Sequence, residues 1–103
     1  MCRFTNLFSL YTDQKNVTVS GTPVQLNNQS IPSGIPFMIK AKDNNVGVIT
    51  IGGTSATALN SGNAHYKLKK NETIQLYLEN TNLVWIDSTN SGDGVEVIVE
   101  AAV

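Results

Sequence analysis

The chain is poor in the residues that do chemistry. One cysteine, Cys2, and one histidine, His65, are all it offers of the two commonest transition-metal ligands. A lone cysteine excludes an intrachain disulfide and a cysteine-based metal cluster, so this is not a disulfide-stapled secreted scaffold. A histidine with no second His or Cys close by gives zinc no site. Charge is scarce too: 15% of residues, against the usual quarter, with a net charge of −1. No basic stripe is present to follow a phosphate backbone or an anionic membrane, so neither nucleic acid nor membrane is expected as a partner. Lys67, Lys69 and Lys70 read as a solvated strand face. No run approaches the ~20 apolar residues of a bilayer span. Thr5, Asn6 and Ser9 interrupt any signal-peptide core near Met1, and no small-residue cleavage site follows. The chain is therefore expected to be made in a cytoplasm and to stay soluble there. No Gly-x-Ser-x-Gly elbow occurs. Gly52-Gly53 lacks the lysine of a phosphate loop and reads as a strand exit. No cofactor and no metal are expected.

What fills the gap is amide and hydroxyl: twelve Asn and ten Thr among 103 residues, enough chain for one hydrophobic core. Helical periodicity is hard to find after residue 15. Short β-branched runs recur instead, bounded by Gly, Pro, Asn or Ser. They are "NVTVS" (16–20), "VQL" (24–26), "FMIKA" (37–41), "VGVITI" (46–51), "HYKL" (65–68), "TIQLYLE" (73–79), "LVWID" (83–87) and "GVEVIVEAAV" (94–103), with "GGTSATALNSGN" (52–63) as a long polar loop. About eight short strands with turns between them predict an all-β protein, an antiparallel β-sandwich of jelly-roll-like type. The sandwich is expected over residues 17–103, preceded by an N-terminal arm over 1–16.

Alternation assigns faces. Ile74, Leu76 and Leu78 oppose Thr73, Gln75, Tyr77 and Glu79, and Val95, Val97 and Val99 oppose Glu96, Ile98 and Glu100. Ile98 on an otherwise acidic face, with the apolar residues Ala101 and Val103 after it, asks for cover by a sister subunit. Self-association is expected on that ground, a trimer among the options.

The most suggestive stretch is "LVWIDSTNSGDGVEV", where Asp87 and Asp93 flank a polar turn. A calcium loop needs a denser series of oxygen ligands, and a glycosidase needs a cleft about 5–10 Å wide between its carboxylates. Two acids around one hairpin read as turn residues. Tyr66, Tyr77 and Trp85 could in principle form a sugar platform, though such rings also pack cross-strand as ordinary structure.

The first residues carry more signal. Phe4, Leu7, Phe8 and Tyr11 fall at i, i+3, i+4 and i+7, the spacing of a short amphipathic helix; an extended arm is the alternative. With little core left to fill, Phe4, Leu7, Phe8, Leu10 and Tyr11 are expected to bind a partner, unless the segment closes an edge of its own sandwich.

The order of signals over residues 17–100 resembles a small β-domain of tailed-bacteriophage structural proteins. It is carried by "VTVSGTPVQL", "IPSGIPFMIKA", "NNVGVITIGGTSAT", "LNSGNAHYKLKKNETIQL" and "LENTNLVWIDSTNSGDGVEV". The resemblance implies a non-enzymatic virion component assembled in the host bacterial cytoplasm. An auxiliary capsid protein, of decoration, cement or head-fibre type, is expected, with the major capsid protein or other virion subunits as partners. A tail or neck fitting, or a carbohydrate- or receptor-binding module of the virion, is the alternative. Where the family pattern leads to expect a glycine before the "TIQL" strand, this chain has "KKNET" with Asn71. Residues 1–16 lie outside the resemblance.

Overall fold

The computed structural model describes residues 8–63 and 65–102. Its eight strands are β1 (Phe8–Asn16), β2 (Val24–Gln25), β3 (Phe37–Ala41), β4 (Ile49–Gly52), β5 (Tyr66–Leu68), β6 (Thr73–Leu76), β7 (Trp85–Ser88) and β8 (Gly94–Ala102). A one-turn helix α1 (Ser55–Ala58) and a 3₁₀ turn (Thr81–Leu83) are the remaining regular elements. Sheet I runs β1-β8-β3-β6 and sheet II runs β2-β7-β4-β5, and every neighbouring pair is antiparallel. Four of those pairs, β1–β8, β2–β7, β3–β6 and β4–β5, join strands placed symmetrically about the β4–β5 connection. The fold is an all-β sandwich.

The core follows from alternation. Phe37, Ile39 and Ala41 of β3 and Val95, Val97 and Val99 of β8 point inward from sheet I, meeting Ile49 and Ile51 of β4 and Ile86 of β7. Each is nearly or fully buried. Burial of a residue such as Phe37 or Ile86 contributes about 1.5–3 kcal/mol against an exposed reference.

Two elements, β1 and α1, differ from the sequence expectation. The first strand is not 16–20 but 8–16, and residues 18–22 form a turn. Of the expected arm, residues 8–16 thus form the edge strand of sheet I, paired with β8 from Phe8↔Ala102 to Asn16↔Gly94. The described part of the segment expected as helix or extended arm is extended. The inward side of β1 is mostly polar, which hid its alternation: Tyr11, Asp13 and Lys15 turn in at the open side of the sandwich, where hydrogen bonds among them and with Asn27 satisfy them. The polar loop 52–63 contains α1, whose capping box joins Thr54 and Thr57: the Thr57 N–H donates to Thr54 Oγ1, and the Thr54 N–H donates to Thr57 Oγ1. This turn lies so close to β4 that a Cβ at Gly52 would come 2.5 Å from the Ala58 nitrogen. Finally, the turn before β6 places Asn71 at φ +68°, the conformation expected there of a glycine.

Candidate functional site

Asp87 and Asp93 are both buried, and their surroundings explain why. Asp87 lies on the outer side of β7. Its Oδ1 accepts from the N–H groups of Gly21 (3.1 Å) and Ser88 (2.8 Å), and its Oδ2 accepts from that of Asn60 (2.9 Å). Three separate chain segments are thereby tied to one carboxylate. Asp93, at the foot of β8, does the same for the loop before β4. Its Oδ1 accepts from the Val46 N–H (3.0 Å) and the Asn90 amide (3.1 Å), and its Oδ2 from the Gly47 N–H (2.7 Å) and the Ser88 hydroxyl (3.1 Å). Burial pushes the Asp93 pKa up, but these four donors outweigh it and hold the carboxyl below its ordinary value. Both carboxylates spend their lone pairs on donors of their own chain, mostly main-chain N–H groups. They act as staples across loops, which is what carboxylates amid orphan N–H groups do. Among the described residues no group of three or more His, Cys, Asp or Glu could hold a metal ion.

A second polar cluster closes the side where β1 and β2 part. The Tyr11 hydroxyl donates to Asp13 Oδ2 (3.0 Å), the Asn27 amide donates to the same oxygen (2.7 Å), and Lys15 Nζ donates to Asn27 Oδ1 (3.1 Å). Burial raises the Tyr11 pKa, and the bond to Asp13 with its negative charge raises it further. Burial works to raise that of Asp13, yet hydrogen bonds from Asn27, the Gln14 N–H and Tyr11, with Lys15 nearby, bring it below the ordinary value. His65, at the start of β5, has Nδ1 3.0 Å from the Leu59 carbonyl oxygen.

The three aromatic residues considered for sugars do not form one platform. Trp85 is on the outer face of sheet II, in register with Gly52 and Gln25. Tyr66 pairs with Ile51 on the opposite face, at the free edge of β5. Tyr77 is on the outer face of sheet I, where its hydroxyl accepts from Gln75 Nε2 (3.0 Å).

The outer face of sheet I carries the largest apolar exposure of the two faces. Leu10 (66% exposed), Met38 (41%), Tyr77 (66%) and Ile98 (44%) stand on it, beside a shallow groove of about 640 Å³ lined by Thr12, Gln14, Met38, Lys40, Glu96 and Ile98. Ile98 is in register with Thr12 on one side and Met38 on the other. Lys40 Nζ lies 4.0 Å from Glu96 Oε1, both side chains well exposed.

Among the expected partner-binding residues, Leu10 is exposed on this face. Tyr11 is not: it turns inward, packs against the core and bonds Asp13. Phe4 and Leu7 lie outside the described residues, and of Phe8 the structure gives the backbone alone, paired with Ala102. Of the residues expected at a subunit contact, Ile98 is exposed, Ala101 pairs through its backbone with Ser9, and Val103 lies outside the described residues. Met38 was not singled out from the sequence. In "FMIKA" it alternates with Phe37 and Ile39, and only the β3–β8 pairing brings it beside Ile98.

No family model matches this chain, and no curated protein or solved structure matches it either.

Proposed function

We propose that this protein is a non-enzymatic structural component of a bacteriophage virion, an auxiliary capsid protein of decoration, cement or head-fibre type. The observation that carries the reading is the strand arrangement. Sheets ordered β1-β8-β3-β6 and β2-β7-β4-β5 support a jelly-roll-like reading, an architecture frequent in capsid and lectin domains, and the sequence of residues 17–100 resembles phage structural domains. Fold alone does not assign function, so two further features count. The acids that looked most catalytic are committed to main-chain donors, and an exposed apolar face offers a docking surface. Weak contacts repeated over many copies suit a chain with so few charges.

Quantitative mass spectrometry of particles from the phage that encodes the chain tests this. Hundreds of copies per particle support a head location, and a dozen or so indicate a tail or neck fitting. Absence from purified particles overturns the virion reading. Saturable co-sedimentation of the full chain with heads lacking it would then identify the capsid as the partner.

A further inference from the structure

The outer face of sheet I reads as two halves that complement one another. Across the strands β1, β8, β3 and β6, one row is Gln14, Glu96, Lys40 and Thr73, and the next is Thr12, Ile98, Met38 and Gln75. One row further, β1 and β8 contribute Leu10 and Glu100, and Tyr77 follows the end of β6. Most residues left of the centre have a chemical counterpart right of it, Glu100 excepted. Ile98 answers Met38, Thr12 answers Gln75, Leu10 answers Tyr77, and Glu96 answers Lys40 with the charge reversed.

We propose that this face pairs with the same face of a second copy, about a twofold axis running parallel to the strands between β8 and β3. A twofold contact requires a surface that is its own complement, since each residue meets its counterpart twice. Rotation about this axis places β8 of one copy over β3 of the other and β1 over β6. Ile98 then packs on Met38 of the second copy, Leu10 lies against Tyr77, and Thr12 reaches the Gln75 amide. Glu96 faces Lys40 of the other copy at two symmetric points. A twofold axis across the strands that stacks β8 on β8 would set Glu96 against Glu96 when centred on its own row, or against Glu100 when centred on Ile98. Two such faces pack as aligned sheets do, about 10 Å apart. The face spans only about 19 Å across its four strands, so the pairing is weak and reversible, in the class of small interfaces. It does not rest on the virion reading: a chain that pairs this way could do so inside or outside a particle.

The test is sedimentation velocity of the full chain from micromolar to near-millimolar concentration. Lys40→Glu and Glu96→Lys each put like charges together twice per dimer and weaken self-association about tenfold or more. Mixed in equal amounts, the two variants restore association, because one copy then carries Glu at both positions and the other Lys at both. A purely internal role for the Lys40–Glu96 pair would not give rescue between chains. Ile98→Glu, at an exposed site that folding tolerates, is expected to abolish pairing. A wild-type chain monomeric throughout overturns the proposal. So does self-association that is insensitive to these changes, or single variants that do not rescue each other. Copy number in the particle is measured separately, so a failed pairing leaves the virion reading standing, and the reverse.

Discussion

Asn45 and Gly94 are joined by two hydrogen bonds that imitate a strand pair: Asn45 Nδ2 donates to the Gly94 carbonyl at 2.9 Å, and the Gly94 N–H donates to Asn45 Oδ1 at 2.9 Å. Asn45 is buried and lies in the loop before β4, so a side chain completes the ladder where β8 begins. The Gly94 carbonyl also accepts from the Lys42 N–H, but its own N–H is paired to Asn45. Asn45→Ala therefore strands a buried donor, and stability should fall by about 1–3 kcal/mol. A urea titration of both chains measures it; an unchanged midpoint would show that the donor finds another partner.

Asp93 makes stability depend on acid. Its folded-state pKa lies below the ordinary 3.8, because the donors of Val46, Gly47, Asn90 and Ser88 outweigh burial. The unfolded chain therefore takes up the proton more readily than the folded one. The stabilisation is complete above about pH 5 and is lost as pH falls through the folded-state value. Asp93→Asn points an amide N–H₂ at main-chain donors and should cost about 2–3 kcal/mol at neutral pH. It should also flatten the fall in stability between pH 5 and 3, leaving the smaller slope expected from Asp13, whose pKa is shifted in the same direction. An equal acid slope in both chains would remove Asp93 from this role.

Gly94 has no room for a side chain. A Cβ there would meet Asn16 Oδ1 and would lie 2.5 Å from the Lys15 carbonyl oxygen, so backbone would have to move. Gly94→Ala should push β1 away from β8 at its Asn16 end and destabilise by about 1–3 kcal/mol. Hydrogen exchange is expected to quicken at Val17 and in the second half of β1 before it does in β3.

Asn71 is the one non-glycine residue at positive φ among those described. Its N–H donates to the Ala41 carbonyl, which fixes the turn against β3. Asn71→Val should cost about 1–2 kcal/mol, since a branched Cβ is strained there. Asn71→Gly should be neutral or stabilising. If Val and Gly behave alike, the left-handed turn is not what the position requires.

The inward apolar runs made most of this fold legible. β3 was read at its observed bounds, β6 and β8 lay within the expected strands and β7 overlapped its own, because Phe37, Ile74, Ile86 and Val97 each begin or sustain a strict alternation over the core. β1 escaped because its inner face carries Asp13 and Lys15, whose contacts with Asn27 depend on a segment outside the strand. The short helix escaped because four residues are too few for a period, though Thr54 and Thr57 were its visible cap. Asp87 was placed at the end of its strand and Asp93 in a turn, both without a catalytic role, but their burial was not read. That arises from three loops, around Gly21, Val46 and Asn60, whose meeting no local pattern encodes. Ile98 was found because it broke an acidic alternation, whereas Met38 broke nothing and became notable only beside it.

The ladder between β1 and β8 also bears on how the chain is made. β1 emerges from the ribosome before any other strand, and its sole neighbour in the sheet is synthesised last of the eight. Meanwhile its edge donors and acceptors stay open, next to those of other nascent copies. β8, flanked by β1 and β3, is also the strand on which sheet I closes, so sheet I assembles only once Gly94–Ala102 has cleared the exit tunnel. Pairings this distant make folding slow, and exchange of β1 between chains is the error such a delay invites. Yield at high expression should therefore improve when fewer ribosomes translate the message at once, more than with added stability.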